Sequence, residues 1–402
     1  MAVPPAAPIG STDSTAEPDS VTAARAGRGA ARRVVVKIGT SSVTLGAPGA
    51  PGGTAGGGVD EAALAKLTAE VVDARRLGHE VIVVTSGAIA AGVERLGIAR
   101  PTRVERLQAV SAVGQIDLMA TYSRLFAAHG ATAGQVLIAP HDFADRKQYV
   151  HAQATFEHLL ALGVVPVVNE NDAVADDAIR YGDNDRIAAL VANLLGADML
   201  VLLTDTAGLH TADPRRDRDA TLIEEVLEVS AELERVAGRS GHLGSGGMAS
   251  KLAAAKMASW SGVRTVIAAA TRPDVLVDAI AGRPGVGTVV AARDTRLAAR
   301  KLWIGFAVAS AGTLVVDDGA RRAMEHGGKS LLAAGVTDVA GKFGAGDAVE
   351  VRTADGPVFA KGIAAMGAAR LAAVKGKRSA DIADGTPALV IHRDDLVVLP
   401  AD

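Results

Sequence analysis

From Gly241 the chain reads Gly-His-Leu-Gly-Ser-Gly-Gly-Met-Ala-Ser-Lys, and an alanine-rich run to Ala258 follows, with Lys251 near its start. Glycines let backbone approach a ligand closely, a helix start presents unpaired N–H groups, and the lysine adds a mobile positive charge. That combination suits a phosphate. It is not a Walker loop, because the nearest match, Gly327-Gly328-Lys329-Ser330, has Ala323 where the first glycine is required. No Gly-x-Gly-x-x-Gly follows a strand-like run either, so the main sequence mark of a dinucleotide fold is missing. An ordinary loop and helix cap would use the same residue types, so the rest of the chain must decide.

Further polar residues recur where apolar runs end. Val34–Ile38 leads into Gly39-Thr40-Ser41-Ser42, Glu80–Val84 into Thr85-Ser86-Gly87-Ala88, Val164–Val168 into Asn169-Glu170-Asn171-Asp172, and Met199–Leu203 into Thr204-Asp205. In an open parallel sheet, ligands collect beyond the carboxyl ends of the strands, where these residues would stand. Lys37, embedded in an apolar strand, is costly to desolvate unless it meets an anion; the bland alternative is a snorkelling edge lysine. The clusters Asn169–Asp172 and Gly182-Asp183-Asn184-Asp185 suit a substrate ammonium, a Mg²⁺ ion or the orientation of lysines, and Asp185 also suits a helix N-cap. His79, His129 and His158 show no metal-ligand spacing.

The elements that must position these residues follow from composition and period. The chain of 402 residues is 49% hydrophobic but only 3% aromatic, so its cores are aliphatic. That favours an α/β class: a doubly wound, mostly parallel sheet covered by helices. Strands are also expected at Gln135–Ala139 and Thr265–Ala269, with helices near 60–77, 104–129, 145–162, 184–196 and 248–261. Residues 1–30 read as a disordered tail, 31–296 as the α/β domain and 297–310 as a linker. A small β-rich domain is expected over 311–389 and a C-terminal segment over 390–402. Gly46–Gly58, nearly all Gly, Ala and Pro, reads as a flexible insertion. With no cysteine there is neither a disulfide nor a thiolate metal site. A net charge of −3, the lack of an apolar leader and the lack of a membrane-length run lead us to expect a cytoplasmic protein with no membrane association.

Taken in order, these motifs closely resemble the glutamate 5-kinases of the amino acid kinase family. The resemblance rests on Val36–Ser41, Thr85–Gly92, Pro166–Val174, Gly182–Asp185, Leu203–Leu209 with Thr211-Ala212-Asp213-Pro214, and Gly244–Lys251. The later part of the chain, toward His392–Asp395, resembles the PUA domain that many of these enzymes carry. The resemblance implies ATP and Mg²⁺ as cofactors and L-glutamate as substrate. It also implies Lys37, Lys251 and Asp185 as catalytic residues, with Asp185 orienting the lysines. Nucleotide contacts would come from Lys37, Thr204, Asp205, Ser245, Gly246, Gly247, Met248, Ala249, Ser250 and Lys251, and glutamate contacts from Ser86, Asp172, Asp183 and Asn184. Gly39 and Gly87 would supply close backbone N–H groups, and no residue is assigned as a direct metal ligand. Family resemblance further implies proline as feedback inhibitor, a homo-oligomer (dimer or tetramer), and coupling to glutamate-5-semialdehyde dehydrogenase. Ala249, Ser250, the long tail and the Gly46–Gly58 insertion depart from the family pattern.

The sequence offers two other readings. PUA domains elsewhere bind RNA, but residues 311–389 carry nearly equal numbers of basic and acidic side chains, which argues against a phosphate-neutralising surface. Acetylglutamate or aspartate would keep the fold, yet a free substrate ammonium accounts better for so many acceptors around Asn169–Asp172 and Asp183–Asp185.

Overall fold

The computed structural model describes residues 32–45, 58–143, 145–174, 184–214, 217–239, 247–294, 296–382 and 388–399. The N-terminal tail, nearly all of the Gly46–Gly58 insertion, and Asp183, Ser245 and Gly246 lie outside them.

The first unit is an eight-stranded sheet in the order β3-β4-β2-β1-β5-β7-β8-β6. Its central strands are β1 (Arg33–Ile38), β2 (Glu80–Val84), β4 (Val165–Glu170), β5 (Met199–Thr204) and β7 (Arg264–Ala269). β3 (Ala133–Ile138) forms one edge, and β6 (Glu225–Val226) and β8 (Thr288–Val290) close the other. All pairings are parallel except β7 with β8. Continuous Val, Ile and Leu runs can be buried on both faces only when helices cover both, and they do. Val34, Val36 and Ile38 pack with α1 (Glu61–Arg76), α3 (Val104–Ala128) and α8 (Val275–Ala281). Val35 faces the other layer, with α5 (Asn184–Leu194) and α7 (Met248–Trp260). Helix α5 is apolar almost all round, as a helix held between a sheet and other helices must be. Burying each of Ile187, Leu190 and Leu194 is worth about 1.5–3 kcal/mol relative to exposure.

The chain starts at β1, grows outward to β2 on one side, and later returns to β5 on the other, so the switch point lies between β1 and β5. Lys37, opposite Val84 and Leu202 in register, ends β1 at that crevice. Between β2 and β3 stand α2 (Ala88–Leu96) and α3, and between β3 and β4 stands α4 (Arg146–Ala161).

The second unit holds a five-stranded sheet in the order β11-β9-β12-β13-β15. Its strands are β9 (Gly312–Val316), β11 (Val336–Gly341), β12 (Ala348–Arg352), β13 (Val358–Ile363) and β15 (Leu396–Val398); a further pair joins β10 (Leu331–Leu332) to β14 (Leu389–Ile391). Strands β14 and β15 thus draw residues of the C-terminal segment into this unit's sheets. Residues 299–307, within the stretch read as a linker, are helical: α9 (Ala299–Leu302) runs into a wide turn at Trp303–Ala307. Leu302 is fully buried in the α5 layer, and Trp303 and Phe306 pack against it.

Candidate active site

Two strands, two helix starts and three side chains build the centre of the crevice. Lys37 Nζ lies 2.7 Å from Asp185 Oδ1, and Lys251 Nζ lies 3.3 Å from Asp185 Oδ2. All three residues are almost wholly buried. Asp185 comes from the first turn of α5 and Lys251 from that of α7, so one carboxylate ties two helix N-termini to the end of β1. Ser250 Oγ donates to Asp185 Oδ2 at 2.7 Å. Burial opposes ionisation of Asp185. The charges of Lys37 and Lys251 and the hydrogen bonds from Lys37 and Ser250 outweigh it, holding the carboxyl below the usual carboxylate range. Burial also pushes the Lys251 ammonium down; Asp185 and Asp205 pull it back up while Lys37 opposes them. Two ammonium groups thus converge where water is excluded, which is the condition for strong attraction to phosphate oxygens.

Backbone completes this anion site. A Cβ on Gly39 would stand 3.6 Å from Lys37 Nζ and 4.0 Å from Lys251 Nζ, so the bare glycine borders both ammonium groups. Gly247 caps α7 without a side-chain bond of its own, and Met248, Ala249 and Ser250 form the first turn, whose N–H groups suit an anion. Thr204 ends β5 at the same level and donates to Asp205 at 3.1 Å. Lys37, Asp185, Thr204, Asp205, Gly247–Ser250 and Lys251 thus share one end of the sheet, while Ser245 and Gly246 lie outside the described residues.

A small cavity of about 50 Å³ opens beside this centre, lined by Thr40, Ser86, Gly87, Asn169, Asp172 and Asn184 among others. Gly87 adopts φ +114° to turn the chain from β2 into α2, a conformation that a side chain would strain. Asn184, next to Asp185 on α5, donates to Ser86 Oγ and to Asn169 Oδ1, each at 3.1 Å, and accepts from the Glu170 N–H. Asn169 in turn donates to Gln115 at 2.8 Å, and Ser111 donates to Asp172 at 2.5 Å. Burial raises the Asp172 carboxyl above its ordinary value, and the Ser111 bond moderates the rise. Ser86, Asp172 and Asn184 are therefore brought together; Asp183 lies outside the described residues. Ser111 and Gln115, four apart on one face of α3, escape sequence reading because they lie far along the chain from every motif.

Among the described residues, no group of three or more His, Asp or Glu converges to hold a metal, and both oxygens of Asp185 face lysines.

A model described as the amino acid kinase family matches residues 32–269, and a PUA domain model matches residues 312–386. A protein of Mycobacterium tuberculosis named glutamate 5-kinase is 46% identical over 374 residues, 92% of this chain and 96% of that one. One of the same name from Burkholderia multivorans is 44% identical over 374 residues, 92% of this chain and 98% of that one.

Proposed function

Because the chain belongs to the amino acid kinase family, we propose that it phosphorylates the side-chain carboxylate of L-glutamate with ATP, giving L-glutamyl 5-phosphate and ADP. This reaction opens proline biosynthesis. The observation that carries the reading is the first turn of α5: Asp185 holds both lysines of the phosphate site while its neighbour Asn184 lines the amino-acid cavity. Nucleophile and phosphoryl group are thereby set side by side by one rigid element.

The acceptor carboxylate is ionised near neutral pH, so no general base is required. Its oxygen attacks the γ-phosphorus, the bond to the β,γ-bridging oxygen breaks, and ADP leaves with that electron pair. Lys37 would hold the transferring phosphoryl oxygens and Lys251 the β and γ oxygens, with N–H groups from Gly39 and the start of α7 alongside. Asp185 keeps the two ammonium groups from repelling one another out of position. Thr204 and Asp205, with residues 245–250, would meet the nucleotide, and Ser86, Asp172, Asp183 and Asn184 the glutamate, Asp172 facing the α-ammonium. Mg²⁺ when bound would neutralise phosphate charge; no protein ligand is assigned to it.

The same reading includes a kinase domain over 31–296 and a PUA domain over 311–389, a homo-oligomer, proline as inhibitor, a cytoplasmic location and hand-over of the labile product to the next enzyme, glutamate-5-semialdehyde dehydrogenase. The test is an assay with L-glutamate, ATP and Mg²⁺ in hydroxylamine, which converts an acyl phosphate to a stable hydroxamate. Hydroxamate from glutamate but not from acetylglutamate or aspartate supports the reading; product only from another acid overturns the substrate.

A further inference from the structure

Among the described residues that line the amino-acid cavity, the charged side chains are Arg100 and Asp172. Resting on the glutamate reading above, we propose that Arg100 binds the α-carboxylate of the substrate and thereby sets the enzyme's preference for an α-amino acid over a simple carboxylic acid.

Glutamate brings three charges. Its side-chain carboxylate must point toward Lys37 and Lys251 for transfer, which leaves an α-ammonium and an α-carboxylate in the cavity beside them. Asp172 complements the ammonium. Ser86, Asn169 and Asn184 can hydrogen-bond a carboxylate but cannot neutralise it, and they are already bonded to one another and, through the Asn169 amide, to Gln115. Arg100 is the remaining charged group among the described wall residues, and it has no hydrogen bond or ion pair with the described residues. By contrast Arg33 holds Glu80 and Glu157, and Arg272 holds Asp278. The planar guanidinium fork matches a carboxylate with two parallel bonds, which an ammonium does not. Arg100 sits in the loop after Gly97, which ends α2 at φ +62°, and α2 starts at Gly87 in the same cavity. The cation is therefore presented by the element that carries the cavity's backbone wall.

The experiment compares L-glutamate with 4-aminobutyrate, which is glutamate without its α-carboxylate, in wild type, Arg100→Gln and Arg100→Lys. Hydroxamate from the wild type with L-glutamate is established first; its absence removes the glutamate reading and this inference with it. Given that activity, Arg100→Gln is expected to raise the KM for glutamate about ten- to a hundredfold, the cost of a lost charge-assisted hydrogen bond, with the KM for ATP unchanged. The 4-aminobutyrate kcat/KM, or its inhibition constant against glutamate where turnover is slow, is expected to stay the same, so discrimination collapses. Arg100→Lys restores part of it. A glutamate to 4-aminobutyrate ratio equal to that of the wild type, or an equal loss for both compounds, overturns the assignment. Because Arg100 is exposed and bonded to no described residue, unfolding of the variants is not expected, and a thermal melt checks it.

Discussion

At the scale of single residues, the site separates two kinds of carboxylate by environment. Asp185, pinned between two buried lysines, stays ionised well into acid. Asp172, half-buried and accepting from the Ser111 hydroxyl, is shifted upward by its burial and must lose its proton before it can hold an ammonium. Ser111→Ala removes the bond that favours the charged form, so the Asp172 carboxyl rises further. The acid limb of kcat/KM for glutamate is then expected to move to higher pH while the ATP limb stays in place. Superimposable pH profiles for wild type and variant would remove Asp172 from ammonium binding. Lys37, Asp185, Ser86 and Thr204 were legible in the sequence because each ends an apolar run or opens a helix. Ser111 was not, since a serine inside an amphipathic helix gives no signal of its own. A lone loop arginine such as Arg100 is equally silent.

At the scale of elements, α2 and α3 cross with almost no space between their backbones. A Cβ on Gly114 would lie 1.9 Å from the Ala88 carbonyl oxygen, and one on Gly92 would lie 2.0 Å from that of Val110. This approach brings Ser111 and Gln115 of α3 up to Asp172 and Asn169 of the cavity floor. Gly114→Ala is expected to destabilise by about 1–3 kcal/mol through overpacking and to raise the KM for glutamate more than that for ATP. An unchanged melting temperature with unchanged kinetics would contradict the tight crossing. The strands and long helices of this unit were legible from apolar period alone. The crossing was not, because a glycine pair on two helices announces contact only once their mutual orientation is known. Ser250, a departure from the family pattern, acquires a reason: its hydroxyl reaches Asp185.

At the scale of the whole molecule, the β-rich unit meets the kinase layer through residues 299–308. Leu302 is buried beside α5, Arg300 pairs with Asp395 at 2.5 Å, and Lys361 of β13 donates to the carbonyl of Val308. Glycine-poor, amphipathic residues such as Trp303 and Phe306 were present in the sequence, but a short stretch between two domains lacks the length for a helical period to stand out. Burial depresses the Lys361 ammonium to about 8; Glu350 opposite it in register works to raise it and Arg186 of α5 to lower it. Above that value the folded lysine has released a proton that the unfolded lysine still holds, so stability from this group rises with pH toward its ordinary value. The wild type is therefore expected to gain thermal stability relative to Lys361→Met as pH rises from about 8 toward 10.5, as read from melting temperatures at several pH values. Parallel profiles would show that Lys361 is not titrating in the folded interface.

The most direct test of the central claim is the rate of hydroxamate formation from L-glutamate and ATP by Lys37→Met beside the wild type, with folding checked by circular dichroism. The account predicts a loss of about a hundred- to a thousandfold in kcat, the scale of removing a preorganised charge from the transferring group. Turnover near that of the wild type would contradict the placement of phosphoryl transfer at the Lys37–Asp185–Lys251 centre.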